Sequence, residues 1–363
     1  MGAGASTATW HIGKELVAMG HEIVVLTSSY KKKSGYDCKK GMKIFRCPCI
    51  RKKKSESNIF EMLSFVISAF FFLPWIIIQH QIKGTIVFFS FPCGPLGLWV
   101  NFLFGIPYII SLRGGDVPGT ERSLDRIHKI LQPLRRLIFR KSRAVIANSQ
   151  GLKRLAQKAD PVITQVIHNG IDTSYFRPRK NHIEKGLFSF IFVGRFSEQK
   201  NLFFLIEQFS MLKKKNNLPF IINMVGEGPL KGELQQFAKS FGIADRIMWY
   251  GWLTKSEVLK LLQKSNCFIN PSFYEGMPNA VLEAQACGLP VIVSNVAGNN
   301  TVVIDGQDGF LFDLGDSQKF KNNVNEIMGN ADLRGKLGDS ARKKMIKKFH
   351  WRNTAMAYAD FFI

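Results

Sequence analysis

Along this chain short apolar runs alternate with amphipathic stretches, and Gly, Pro and polar clusters punctuate them. In the first half, Trp10–Met19 reads as a helix ended by Gly20, and residues 22–27 form a strand rich in β-branched side chains. Further strands are expected at 42–46, 85–89, 108–111, 144–147 and 165–168, with helices between most of them. Arg177-Pro178-Arg179-Lys180-Asn181-His182 is polar and proline-containing, so it predicts a linker. The alternation then restarts. Strands are expected at 188–193, 220–225, 246–250, 267–270 and 291–294, with helices from about Asn201, through Phe241, and over 256–264 and 279–287. Strands that alternate with helices predict parallel sheets covered on both faces. The class is therefore α/β with two doubly wound units: residues 1–178, a linker at 179–187, and residues 188–349. Facing one another, two such units would place a cleft at the carboxyl ends of their strands, where ligands bind in these folds.

Composition narrows the picture. With 363 residues, 46% of them hydrophobic, the chain is neither disordered nor a disulfide scaffold, and its length suits two domains. The six cysteines are scattered; Cys47-Pro48-Cys49 has no second pair or nearby His to complete a zinc set. A reducing, cytoplasmic location is expected.

The charge of +23 is uneven: residues 1–180 hold 28 Lys and Arg against 10 Asp and Glu, a net +18. The densest runs are Lys31-Lys32-Lys33, Lys39-Lys40 and Arg51-Lys52-Lys53-Lys54. A solvated basic loop, an anionic membrane surface and nucleic acid are the three readings. Nucleic acid ranks last, because no aromatic stacking platform or groove-reading motif lies among the lysines. Residues 62–78 carry no charge. Spanning a bilayer is disfavoured, since the strands on either side should share one sheet and Pro74 should break the helix; a buried helix, partly seated at a membrane interface, is expected.

Three clusters carry candidate chemistry. In Glu275-Gly276-Met277-Pro278-Asn279-Ala280-Val281-Leu282-Glu283, Pro278 suits the first helical position, and the amides of Met277, Asn279 and Ala280 then form a helix N-terminus fit for phosphate or sugar oxygens. Glu275 would face a sugar and Glu283 vicinal ribose hydroxyls; two unrelated surface glutamates are the plainer alternative. Arg195 and Lys200 follow a buried strand, where two cations could stabilise a departing diphosphate. Gly226 and Gly228, in Gly226-Glu227-Gly228-Pro229, would let backbone approach a ligand, or serve only the turn. In the first half Gly114 and Asp116 read equally as turn or acceptor residues, Ser149 as a helix cap beside a cleft candidate Asn148, and His168 as structural.

Together these residues resemble the retaining glycosyltransferases of family 4, of GT-B fold. The likeness rests on Phe192-Val193-Gly194-Arg195…Lys200-Asn201, Val225 to Pro229, Asn270-Pro271-Ser272…Glu275 to Glu283, and Ala286-Cys287-Gly288-Leu289-Pro290-Val291-Ile292. It extends to Leu112-Arg113-Gly114-Gly115-Asp116, Ala147-Asn148-Ser149 and Ile167 to Asp172, nearly the whole chain. The resemblance implies a C-terminal domain that binds a nucleotide sugar and an N-terminal domain that receives the acceptor. Arg195 and Lys200 would then bind the diphosphate, Glu283 the ribose and Glu275 the sugar, without a metal or other cofactor. It also implies that the last segment, from Trp351, packs back onto the first domain. Several positions depart from the family pattern. The first strand is missing, so that the chain opens at the end of a glycine-rich loop containing Gly4. Arg113 stands where many members carry His, and Asn201 where Gly is usual. Thr301 replaces an acid in Gly298-Asn299-Asn300-Thr301, which is given no role. The expected activity is transfer of a sugar to an acceptor hydroxyl in lipopolysaccharide, exopolysaccharide or other cell-surface glycan assembly, at the cytoplasmic face of a membrane. The competing readings are a nucleotide-sugar epimerase or glycosyl phosphorylase of the same fold, an inactive nucleotide-sugar-binding protein, and a charge-driven nucleic-acid binder.

Overall fold

The computed structural model describes residues 4–30, 34–51, 58–120, 125–179, 187–216 and 219–362. The runs Lys31–Lys33 and Lys52–Lys54 and nearly all of the expected linker fall outside them. The chain forms two units, residues 1–170 with 351–363, and residues 171–350.

The first unit contains helix α1 (Gly4–Ala18), strand β1 (Val24–Ser28), β2 (Gly35–Lys39), β3 (Met42–Cys47), helix α2 (Ile59–His80), β4 (Thr85–Phe88), helix α3 (Gly94–Phe104), β5 (Tyr108–Leu112), β6 (Ala144–Ala147) and β7 (Thr164–Val166). β4 to β7 make a parallel four-stranded sheet in chain order, and β1-β3-β2 make a separate three-stranded one. The expectation that the strands around β1 and β4 share a sheet is therefore corrected. Each is an edge strand with a ladder on one side only. β1 is half-buried at all five positions, whereas β5 is buried throughout. β2 lies where the run Lys39-Lys40 suggests a solvated basic loop. Lys40 and Gly41 both have positive φ and close a two-residue hairpin in which Lys39 pairs with Met42.

Helix α2 departs most from expectation. It runs unbroken through Pro74 for 22 residues, and only 22% of its most apolar window is buried. An interior proline costs one hydrogen bond and some steric strain. The turns on either side stay anchored by Ala69, Ile76 and Ile77, which are buried. A capping box between Asn58 and Glu61 secures its start.

The final helix, Trp351–Ala359, belongs to the first unit. Trp351 stacks on His11 at 5.0 Å, and Tyr358 Oη lies 2.6 Å from Ser111 Oγ on β5. Beneath the loop after β5, Arg135 Nε donates to Asp160 Oδ2 at 2.6 Å, with both side chains 2% exposed.

The second unit is a six-stranded parallel sheet formed by β8 (Phe188–Val193), β9 (Phe220–Val225), β10 (Ile247–Tyr250), β11 (Cys267–Asn270), β12 (Val291–Ser294) and β13 (Phe310–Phe312), in the order β10-β9-β8-β11-β12-β13. Phenylalanines crowd one face: Phe190, Phe192, Phe209, Phe220 and Phe320 are essentially inaccessible. The unit begins at Ile171, not after residue 178. The Ile171 N–H donates to the Phe349 carbonyl at 2.6 Å, Phe176 is buried in this core, and Arg342 donates to the carbonyls of Thr173, Phe176 and Ala286.

Truncating Asp160 to Ala should leave the Arg135 guanidinium buried without its counter-charge. The expected loss is about 3–5 kcal/mol, measured as a lowered denaturant midpoint of the first unit.

Candidate active site

Because β8, β9, β11 and β12 are parallel, the loops that follow them emerge at one edge of the sheet. After β8 come Gly194 and an exposed Arg195, then a 3-10 turn over Glu198–Lys200. Asn201 ends that turn at φ +52, the left-handed conformation that Asn tolerates better than most residues, which accounts for Asn where Gly is usual.

Gly226 and Gly228 serve this loop. Gly226 has φ +140, and a Cβ on it would lie 1.9 Å from the Gly194 carbonyl oxygen. One on Gly228 would lie 2.2 Å from that of Phe196. Backbone hydrogen bonds lace the two loops together, Gly194 N–H to Val225 O and Phe196 N–H to Glu227 O. The two loops thus approach each other closely, which leaves no room for a side chain at either glycine.

Glu275 is the centre of the site. Its Oε1 accepts from Lys200 Nζ at 2.5 Å, Ser272 Oγ at 2.8 Å and Asn270 Nδ2 at 3.0 Å. No hydrogen bond reaches Oε2 from the described residues, so that oxygen can turn to a ligand. The side chains of Lys200 and Glu275 are only 17% and 7% exposed, which strengthens their attraction relative to a surface pair. A second layer fixes the first. Asn270 Nδ2 also approaches Asn299 Oδ1, Ser294 Oγ donates to the carbonyl of Ser272, and Asn299 Nδ2 donates to that of Ser294. Asn270, Ser272, Ser294 and Asn299 are all buried. Gly298 lies against Glu275 itself, where an added Cβ would sit 2.6 Å from both the Cβ and the carbonyl oxygen of Glu275.

Sequence reasoning assigned no role to this buried set. The available signal was a polar residue closing each of two apolar strands, Cys-Phe-Ile-Asn and Val-Ile-Val-Ser, and a glycine before Asn299.

The helix Asn279–Ala286 starts at Asn279 as expected, but Pro278 stands just outside its first turn. Pro278 is its N-cap, and its carbonyl accepts from Val281 and Leu282. Gly276 is half-buried in the loop before it, and Asn279 is half-buried in its first turn. Met277 is buried and Ala280 packs beside the core, so these two can offer a ligand only their backbone amides. Glu283 lies inside the helix. Burial pushes its carboxyl up from the ordinary 4.5 to about 7, partly offset by Lys255.

The first-unit candidates mostly bond to their own surroundings. Asp116, 3% exposed, accepts from the N–H groups of Arg113 and Gly114 through Oδ1 and of Ser90 through Oδ2. It staples the turn. Burial raises its pKa above the carboxylate norm. Gly114 has φ +126, so the turn itself requires it. Arg113 donates to Asn169 Oδ1 at 2.6 Å and Tyr358 Oη at 3.2 Å and lies over the Phe88 ring. Asn148 is buried, with its Oδ1 lacking a partner among the described residues. His168 pairs through Nδ1 with the Asn148 carbonyl, and Ser149 caps its helix as expected. Gly4 opens α1.

Two family descriptions divide the chain: "Glycosyltransferase Family 4" matches residues 2–175 and "Glycosyl transferases group 1" residues 176–344. The chain is a GT-B glycosyltransferase of this group. An Escherichia coli relative, UDP-Gal:alpha-D-GlcNAc-diphosphoundecaprenol alpha-1,3-galactosyltransferase, is 33% identical over 202 residues, 53% of this chain and 51% of the relative. The match thus spans about half of that relative's length. Among solved structures, sucrose-phosphate synthase from Thermosynechococcus elongatus superposes with a TM-score of 0.82 at 18% identity, over 99% of this chain and 93% of that one. Anabaena HepE, solved with UDP and glucose, gives 0.73 at 17% identity, over 99% and 95%. At such identities the structures establish the shared fold.

In this glycosyltransferase, Gly298→Ala should push Glu275 out of register with its three donors. Misplacement on the ångström scale is expected to lower transfer by about 10²-fold. The exposed Asn300→Ala nearby should leave the rate unchanged, and steady-state assays of both variants check the contrast.

Proposed function

We propose that this glycosyltransferase moves a sugar from a nucleoside diphosphate to an acceptor hydroxyl with retention of anomeric configuration. The observation that carries the reading is the convergence of Lys200, Asn270 and Ser272 on one oxygen of Glu275. A carboxylate held this rigidly by one oxygen suits orienting a ligand through the other.

The roles follow from charge and position. Arg195 and Lys200 neutralise the diphosphate as it departs, and Lys200 bridges that charge to Glu275, which steadies the sugar. The amides of Met277, Asn279 and Ala280 receive phosphate or sugar oxygens, and Glu283 accepts from the ribose hydroxyls. The anomeric carbon–phosphate oxygen bond breaks while the acceptor oxygen bonds to the same face of that carbon. The acceptor's proton passes to a phosphate oxygen of the leaving group. The two cations supply the charge neutralisation, so the reaction is assigned no metal and no other cofactor.

The acceptor is proposed to be a lipid-linked or growing cell-surface glycan, of the lipopolysaccharide or exopolysaccharide kind, met on the cytoplasmic side of a membrane. The E. coli relative's name specifies a UDP-linked donor and a diphosphoundecaprenol-linked acceptor, and HepE was solved with UDP, in keeping with both halves of the proposal.

Glu275→Ala should lower transfer by about 10²–10³-fold. UDP affinity should hold or rise, because Lys200 is released to the diphosphate. Retention of the donor's anomeric configuration in the product, read by NMR coupling constants, and activity that survives EDTA complete the test. An inverted product, or full turnover by Glu275→Ala, refutes the proposal.

Donor affinity should also depend on pH. The Glu283 carboxyl, at about 7 in the fold against an ordinary 4.5, is protonated at pH 6 and ionised at pH 8. Hydroxyl donors bind the ionised form better, so UDP should bind more tightly as pH rises through 7, with a proton released below it. Stability should run oppositely: between 4.5 and 7 the folded state holds the proton that the unfolded state has lost, so this residue's contribution falls as pH rises. Calorimetric titration of wild type and Glu283→Gln checks the affinity, the variant giving a flatter profile.

A further inference from the structure

Helix α2 reverses the usual arrangement of a surface helix. Its inward side packs Ala69 and Ile77 against β1, β3 and α3, through Leu26, Cys47, Leu96 and Val100, and Ile76 is buried too. Its outward side should carry charge. Instead Phe60, Leu63, Ile67, Phe71, Trp75 and Ile78 recur every three or four residues along one stripe, and all six are exposed. Phe60, Phe71 and Ile78 retain 83%, 74% and 71% of their accessible surface. The stripe runs the helix's length, about 33 Å at 1.5 Å per residue. Near the end of α3, Phe102 and Leu103 are exposed as well, Phe102 at 83%. A continuous apolar surface of this extent marks an interaction site.

We propose that this face seats on an anionic lipid bilayer, with α2 lying along the interface. Charge decides between the possible occupants. The half of the chain that carries α2 has a net +18, with Arg51 ahead of the helix and an exposed Lys83 just after it. A second copy apposed through the same face would bring two such charges together, whereas anionic headgroups complement them. Shape agrees, because a bilayer accepts a convex aromatic ridge without a matching groove. Lying along the interface is dictated by the inward contacts: a spanning α2 would have to give up its packing on β1, β3 and α3. The inference rests on this surface alone and is read without any transfer assay, so it stands or falls separately from the proposed function.

The test is flotation of the full chain with vesicles of phosphatidylglycerol and phosphatidylethanolamine, and with vesicles of phosphatidylcholine alone. Binding to the anionic vesicles is expected, weaker binding to the neutral ones, and a decline as salt screens the headgroups. Phe60→Ser with Phe71→Ser should lower partitioning about tenfold or more while the circular dichroism spectrum is unchanged, since both side chains are exposed. As a second readout, Phe71→Trp should gain fluorescence quenching by brominated lipid beyond that of the wild type. Three results would each overturn the proposal: no binding by folded protein, binding that the double serine variant retains in full, or a dimer in sedimentation that this variant dissolves.

Discussion

The contact between Lys200 and Glu275 organises the second unit's binding edge. An ammonium and a carboxylate this close and this secluded must be kept together, since either alone would be a largely buried charge. Keeping them together requires the loop after β8 to meet the loop after β11. That requirement reaches outward to Gly226 and Gly228, whose missing side chains let the β9 loop brace the β8 loop. It reaches inward to Asn270, Ser272, Ser294 and Asn299, which fix the carboxylate from below. Four strand ends thereby act as one rigid part, and the parallel sheet supplies the alignment.

The first unit is built on different terms. Its buried polar groups hold turns in place and present little outward. Asp116 gathers three backbone N–H groups, His128 lies beside the Gly115 carbonyl, and Arg135 and Asp160 neutralise each other beneath. The last helix belongs to this layer, because Tyr358 reaches both Ser111 and Arg113. A residue from the far end of the chain thus braces the loop that the sequence motif Leu112 to Asp116 marks out. What this unit shows to its surroundings is charge and, along α2, apolar surface.

The contrast between the units explains why the second unit's candidate site is more legible in the sequence than the first unit's. Arg195, Lys200, Glu275 and Glu283 follow buried strands or lie in the first turns of a helix, so the alternation of elements already places them at one edge. Arg113, Asp116 and Asn148 also follow strands, yet Arg113 turns to Asn169 and Tyr358, Asp116 to the backbone N–H groups of Ser90, Arg113 and Gly114, and Asn148 is buried. Direction, not position, separates the two groups, and no spacing rule encodes direction for a loop residue.

The α/β class, five of the six strands of the second unit, the family likeness and the charged candidates Arg195, Lys200 and Glu275 are legible in the order of residues alone. Each of these is local: it depends on periodicity within a strand or helix, or on residue types a few positions apart. It takes the folded chain to show that β1 and β4 lie in different sheets, that the second unit begins at Ile171, and that Gly226 and Gly228 make room for a neighbouring loop. Folding alone brought Asn299 to Asn270, and it alone turned the apolar face of α2 outward. Those outcomes depend on which surfaces meet after the chain has closed on itself, and partners far apart in sequence leave no pattern in either segment considered alone.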